Sequence, residues 1–303
     1  MSLKIAVTGS SGLIGSHLTK KLTEQGYTIS RVVRRLSSLK NQESGVLWNI
    51  SEGRIEHERL EGHDVFIHLA GCNIADHRWS TSYKKLIYES RIQSTKLLSQ
   101  TLVKLKQPPR VLISASAVGY YGPNDPEVKI DETHPPGKGF LREVCVDWEQ
   151  ATRPAQAKGI RVIHLRLGVV LSSQGGALAK MLPIFKLGLG GRLGAGQQMM
   201  SWIAMEEIPS IVNHLIQDRT ITGAVNCVSP QPVTNEQFSK VLADVLHRPA
   251  IFPVPAGAVK ILLGEMGEEL LLGGCSVYPK RLQDSRYVFR FPDLKSALVH
   301  ILR

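Results

Sequence analysis

Three glycines spaced Gly9-x-x-Gly12-x-x-Gly15 separate an apolar run, "KIAVTG" (4–9), from an amphipathic one, "LIGSHLTKKLTEQG" (13–26). Lacking a Cβ, glycine can turn sharply off a strand, bring bare backbone against a ligand, or let a helix pack close. At this spacing Gly9 serves the turn, Gly12 the approach and Gly15 the packing. The N–H groups that open the following helix have no partner within it, so they bind an anion lying above the turn. A pyrophosphate fits, held by Gly9, Ser10, Ser11, Gly12, Leu13, Ile14 and Gly15.

The next chemical signal is "YTISRVVRRLSSLK" (27–40). An acid at the end of a second strand would accept hydrogen bonds from a ribose 2′-hydroxyl and repel a 2′-phosphate. No Asp or Glu occurs in residues 28–40; Val33 stands near the acid's place, and Arg34 and Arg35 follow it. Guanidinium groups pair with phosphate oxygens and stack on a flat base. Arg35 reads equally well as a solvated surface charge. The combination points to NADP(H) as the cofactor.

The elements that must position these residues alternate. Strand patterns at 4–9, 28–33, 64–71, 110–116 and 160–171 are separated by helical ones at 13–26, 83–106 and 144–159, the last with Pro154 awkwardly inside. Alternation of this kind predicts an α/β fold, a Rossmann-type doubly wound parallel sheet. Past about residue 170 the texture changes to glycine- and proline-rich connections, "GLGGRLGAGQQ" (188–198), "SPQPVTN" (229–235) and "RPAIFPVPAG" (248–257), with short helices at 235–247 and 256–272. The expected division is a nucleotide-binding domain at 1–170 and a smaller C-terminal α/β substrate lobe at 171–303, with a ligand in the crevice between them.

Composition narrows the function classes. The 303 residues carry a net charge of +11, with seven Lys/Arg against one acid in residues 1–40 and six against two in 280–303. Tyr27 is the lone aromatic among the cations of residues 1–40, and a small anionic ligand explains that cluster better than a nucleic-acid groove, so no nucleic-acid partner is expected. No apolar run reaches the length of a membrane span and no signal peptide opens the sequence, so no membrane partner is expected either. The four cysteines are scattered without metal-ligand spacing, which fits a reducing compartment and packing roles. The expectation is a cytoplasmic monomer or homodimer with a small-molecule substrate and no metal.

Together "TGSSGLIGS", "DVFIHLAG" and "VLISASAVGYYG" resemble the extended short-chain dehydrogenase/reductase superfamily, in its nucleotide-sugar epimerase branch. The likeness is closer to one subgroup, the bacterial and mitochondrial epimerase family proteins. It rests on "IHLAGCNIADHRWS", "SRI" at 90–92, "WEQAT" at 148–152, the block 165–203, "NCVSPQPVTNEQF" and "LLLGGCSVYPKRL". Residues 248–295 resemble the small domain of unknown function that ends these proteins. The resemblance implies that Leu69, Ala70 and Gly71 line the adenine and ribose side, that Arg91 of "SRI" reaches the cofactor, and that Val170 faces the nicotinamide half. On its own residues, Arg91 reads equally as a solvated helix charge.

The resemblance also implies a tyrosine and lysine at Tyr-x-x-x-Lys spacing plus a serine, the lysine lowering the phenol's pKa for proton transfer. This chain departs from that pattern: the two positions fall at Phe140 or Leu141 and at Cys145. Ser116 or Ala117 takes the place of the serine. Tyr120 and Tyr121 are the substitutes nearest to hand, either as phenols aimed into the crevice or as packing residues. Lys84 and Lys85 read as surface charges, Cys145 as a buried thiol and His68 as a satisfied core histidine. "SWIAMEEI" (201–208) shows Ala204 and Glu207 where relatives carry histidine and aspartate, which removes another polar group from near the substrate lobe.

Overall fold

The computed structural model describes residues 2–35 and 44–303. Strand β1 (Lys4–Thr8) leads through the glycine turn into helix α1 (Leu13–Glu24), and β2 (Thr28–Val33) and β3 (Ser44–Asn49) follow. The chain then crosses back to β4 (Val65–His68), runs through the long helix α2 (Thr81–Lys104) and returns as β5 (Val111–Ala117). Helices α3 (Phe140–Gln150) and α4 (Arg153–Ala157) precede β6 (Arg161–Leu167), which Gly168 separates from β7 (Val169–Leu171). Pro154 lies in the first turn of α4, where its missing N–H is not needed, so the expected single helix at 144–159 is two.

Beyond residue 171 come α5 (Gly176–Lys186), β8 (Trp202–Ala204), α6 (Ile208–Gln217), β9 (Gly223–Cys227), α7 (Asn235–Leu246), α8 (Ala256–Leu263) and α9 (Leu294–Leu302). Gly264, at φ +58°, ends α8, so the expected helix at 256–272 also breaks.

The main sheet runs β9-β6-β5-β4-β1-β2-β3, all parallel, and a two-residue strand at Arg54–Ile55 closes its far edge antiparallel. The doubly wound sheet expected from sequence is present. A boundary at residue 170 does not describe it, however. Strand β9 pairs with β6 along five residues, and α6 packs Ile211, Val212 and Leu215 against the same face as Leu18 and Leu22 of α1. The sheet needs apolar cover on that face and a partner for β6, and residues 203–227 supply both. The opposite face is closed by Leu98 and Leu102 of α2 and Ala155 of α4. A separate core, built on Trp202, Phe238 and Leu298, holds the outer lobe. Among the described residues no helix is long and apolar enough to cross a membrane.

Candidate functional site

In an open parallel sheet a ligand sits outside the carboxyl ends of the strands, where the strand order reverses. Here the reversal falls at β1, flanked by β2 on one side and β4 on the other. Gly9, at φ +65°, turns the chain off β1, and a Cβ there would lie 2.7 Å from the carbonyl of Leu69. A Cβ on Gly15 would come within 2.1 Å of Gly9 O. These two glycines are required by packing. Gly12 differs: its nearest neighbour would be Gly9 O at 3.3 Å, and the rest of its surroundings are open. Helix α1 has neither a side-chain cap nor an acid in its first turn, which leaves its positive end available. The residues present fit a pyrophosphate.

The other expected contacts gather around this turn. Leu69 and Ala70 follow β4 directly against Gly9, with the Leu69 N–H donating to Thr8 Oγ1 at 3.1 Å. Val33 closes β2 beside β1, and Arg34 and Arg35 follow it, both exposed. Leu13 turns toward the outer lobe, 3.1 Å from where a Cβ on Gly175 would stand. Val170 lies in β7, paired with Ile203. Arg91 reaches the underside of the loop after β4: its guanidinium donates to Cys72 O at 3.0 Å and Ile87 O at 3.1 Å and lies over Trp148. It therefore braces Gly71 and Cys72.

Ser116, Tyr120 and Tyr121 are brought together, in a setting the sequence did not indicate. Ser116 Oγ donates to Glu149 Oε1 at 2.7 Å, and Arg166 clasps both Glu149 oxygens at 2.8 and 2.9 Å. Arg166 also donates to the Tyr121 hydroxyl at 2.8 Å, which donates in turn to Asn226 Oδ1 at 2.7 Å. The Arg166 guanidinium lies 3.5 Å from the centre of the Tyr120 ring. Burial opposes the charge of Arg166, and Glu149 more than compensates. The Tyr121 phenol does not point into a crevice: it is 1% exposed, and burial pushes it up to about 12. Its oxygen is occupied on both sides because a buried hydroxyl is costly without partners. The network borders a cavity of about 260 Å³ lined by Tyr120, Val146, Glu149, Gln150, Arg153, Gln156 and His164.

Glu149 and Arg166 were assigned no role from sequence. The available signal was an arginine inside the apolar run "RVIHLRLGVVL", since such a charge is rarely buried without a carboxylate partner. A second unanticipated carboxylate, Glu269, accepts from the Phe140 and Leu141 N–H groups at 2.8 and 3.0 Å, so α3 is capped by the C-terminal segment. Glu207 is buried as well, accepting from the Tyr287 hydroxyl at 2.5 Å and the Phe291 N–H at 3.0 Å. It holds the end of the chain to the sheet.

His68 is a core histidine, bonded to Thr8 at 2.7 Å and Thr95 at 2.9 Å, and burial lowers it to about 3. Cys145 is a buried thiol pushed up to about 12 by desolvation. Lys84 pairs with Glu265 at 2.8 Å, and Lys85 is exposed 3.8 Å from Glu89.

The model of the NAD dependent epimerase/dehydratase family matches residues 5–227, and that of a domain of unknown function, DUF1731, matches residues 254–301. An epimerase family protein of Mycobacterium tuberculosis, MT2273, is 41% identical over 97% of this chain and 96% of its own. The human epimerase family protein SDR39U1 is 32% identical over 99% of this chain and all of its own. The crystal structure of the human protein (isoform 2) with NADPH superimposes with a TM-score of 0.89 at 31% identity, covering 99% of each chain.

Proposed function

Because the chain belongs to the NAD dependent epimerase/dehydratase family, we propose that it binds NADP(H) across the glycine turn. We further propose that it passes a hydride to or from a carbonyl or sugar-nucleotide-like substrate. One observation carries the cofactor reading: the end of β2 has no acid and two exposed arginines, beside an uncapped helix start. The human relative determined with NADPH supports it. When bound, the dinucleotide supplies the hydride. The chain's own part is to hold the pyrophosphate on the first turn of α1, grip the 2′-phosphate with Arg34 and brace the loop at Gly71 with Arg91.

Calorimetry tests the cofactor. Arg34→Asp weakens NADPH by about tenfold or more, the scale of one lost charge-assisted hydrogen bond, and leaves NADH nearly unchanged. Equal loss for both dinucleotides rules the contact out.

A non-catalytic NADP(H) sensor or scaffold is the second reading. It is favoured by the internal commitment of Ser116 and Tyr121, whose oxygens already have protein partners. Loss of an acid–base group slows such chemistry by roughly 10²–10⁴ without abolishing it, so a carbonyl screen that follows NADPH oxidation separates the two. Turnover supports the enzyme. Tight binding with no turnover on any carbonyl or sugar nucleotide supports the sensor.

A further inference from the structure

Residues 150–205 contain no aspartate or glutamate, and neither do residues 245–264. In the outer lobe these stretches carry Lys180, Lys186, Arg192, Arg248 and Lys260. The structure zips them together: the Phe252 N–H donates to Gly190 O at 3.2 Å, the Val254 N–H to Arg192 O at 2.9 Å, and Arg248 Nε to Lys186 O at 2.9 Å. Large apolar side chains face solvent along this seam, with Leu187 74%, Ile251 70% and Phe252 51% exposed. Helix α8 carries two more, Ile261 at 76% and Leu262 at 69%. Large apolar side chains exposed together along one hydrogen-bonded seam, as Leu187, Ile251 and Phe252 are, mark a place where something docks.

We propose that this face rests on an anionic lipid bilayer, with Ile251 and Phe252 entering the acyl boundary and the cations lying among the headgroups. Charge favours that occupant. Arg192 and Lys260 are paired with Glu236 at 3.3 Å and Glu268 at 2.8 Å, while Lys180, Lys186 and Arg248 add positive charge that no acid in either stretch offsets. A second copy of the chain would set these cations against their own kind, whereas an anionic surface attracts them and the net +11 of the whole molecule.

Backbone chemistry favours lipid over an acidic protein. Of the residues Phe252–Pro255, Phe252 and Val254 have bonded N–H groups, and Pro253 and Pro255 have none. Sinking Phe252–Pro255 into hydrocarbon therefore strands no backbone N–H of these four residues, the usual cost of burying a loop. The sequence predicts no membrane partner because it lacks a span and a signal peptide; a peripheral contact needs neither, only apolar side chains plus a basic rim. The inference is independent of the cofactor.

The test is flotation of the full chain with phosphatidylcholine vesicles, with and without about a quarter phosphatidylglycerol. The expected result is binding to the anionic vesicles, at least about tenfold weaker binding to the neutral ones, and release by salt. The double substitution Ile251→Ser with Phe252→Ser, and separately Lys186→Glu with Arg248→Glu, each weaken binding about tenfold or more. All four positions are on the surface; the serine pair keeps the melting temperature of the unaltered chain, and the glutamate pair, which gives up the Arg248 bond to Lys186 O, is assayed well below its own melting temperature. Absence of binding to anionic vesicles overturns the proposal, and so does unchanged binding by both variants. Self-association, or capture of an acidic protein, that the same variants abolish while vesicles stay bare also overturns it.

Discussion

At the scale of single residues, two glycines of one motif are expected to fail in different ways. A Cβ on Gly15 would meet the carbonyl of Gly9 at 2.1 Å, so Gly15→Ala forces the turn apart and lowers stability by about 1–3 kcal/mol in urea unfolding. At Gly12 the nearest atom would be 3.3 Å away, so Gly12→Ala leaves stability within about 0.5 kcal/mol while crowding the pyrophosphate and weakening NADPH and NADH alike. Unchanged dinucleotide affinity in Gly12→Ala would remove that contact. His68 gives a pH signature. Burial takes it from the usual 6.5 to about 3 in the folded chain, so between those values the unfolded chain binds the extra proton. Stability is full above about 6.5 and falls with acidification by up to about 1.4 kcal/mol per pH unit for this one group. Desolvation pushes His63 and His164 in the same direction. In His68→Asn the urea midpoint should depend less steeply on pH across that window; an identical slope means that His68 does not contribute it. The glycines and arginines were readable because their spacing is local. The Ser116–Glu149–Arg166–Tyr121 cluster was not, because its members come from four separate elements and meet only in the folded sheet.

At the scale of elements, helix α3 depends on a carboxylate 129 residues away in sequence. Glu269→Ala leaves the Phe140 and Leu141 N–H groups without their acceptor and costs about 1 kcal/mol, the usual value of a lost N-cap. Glu269→Gln keeps an acceptor and should restore part of that loss; full stability in the alanine variant contradicts the assignment. Most elements before residue 122 were legible because apolar periodicity ends cleanly at Gly26, Gly71 and Pro108. Helix α6 was missed although Pro209 marks its first turn, and its apolar side is defined only by the sheet face it covers. Strand β9 is five residues without strict alternation, and its identity comes from the open edge of β6.

At the scale of the whole molecule, the nucleotide-binding layer and the outer lobe are interleaved. Residues 203–227 return to the sheet, and Glu207 and Glu132 tie the C-terminal segment to it through Tyr287, Phe291 and Arg281. Calorimetry should therefore show one cooperative transition with matching calorimetric and van't Hoff enthalpies. Two resolved transitions would mean that the lobes unfold separately. The same interleaving bears on how the protein is made. Strand β6 ends at Leu167, and the strand that covers its outer edge ends at Cys227, about 60 residues later. At ribosomal speeds of about 5–20 residues per second the nascent sheet waits roughly 3–12 s with a bare rim of hydrogen-bonding backbone. For those seconds a half-made chain can pair with its neighbours on a polysome, so slowing translation between codons 168 and 223 should cost soluble yield more than an equal pause placed after codon 228.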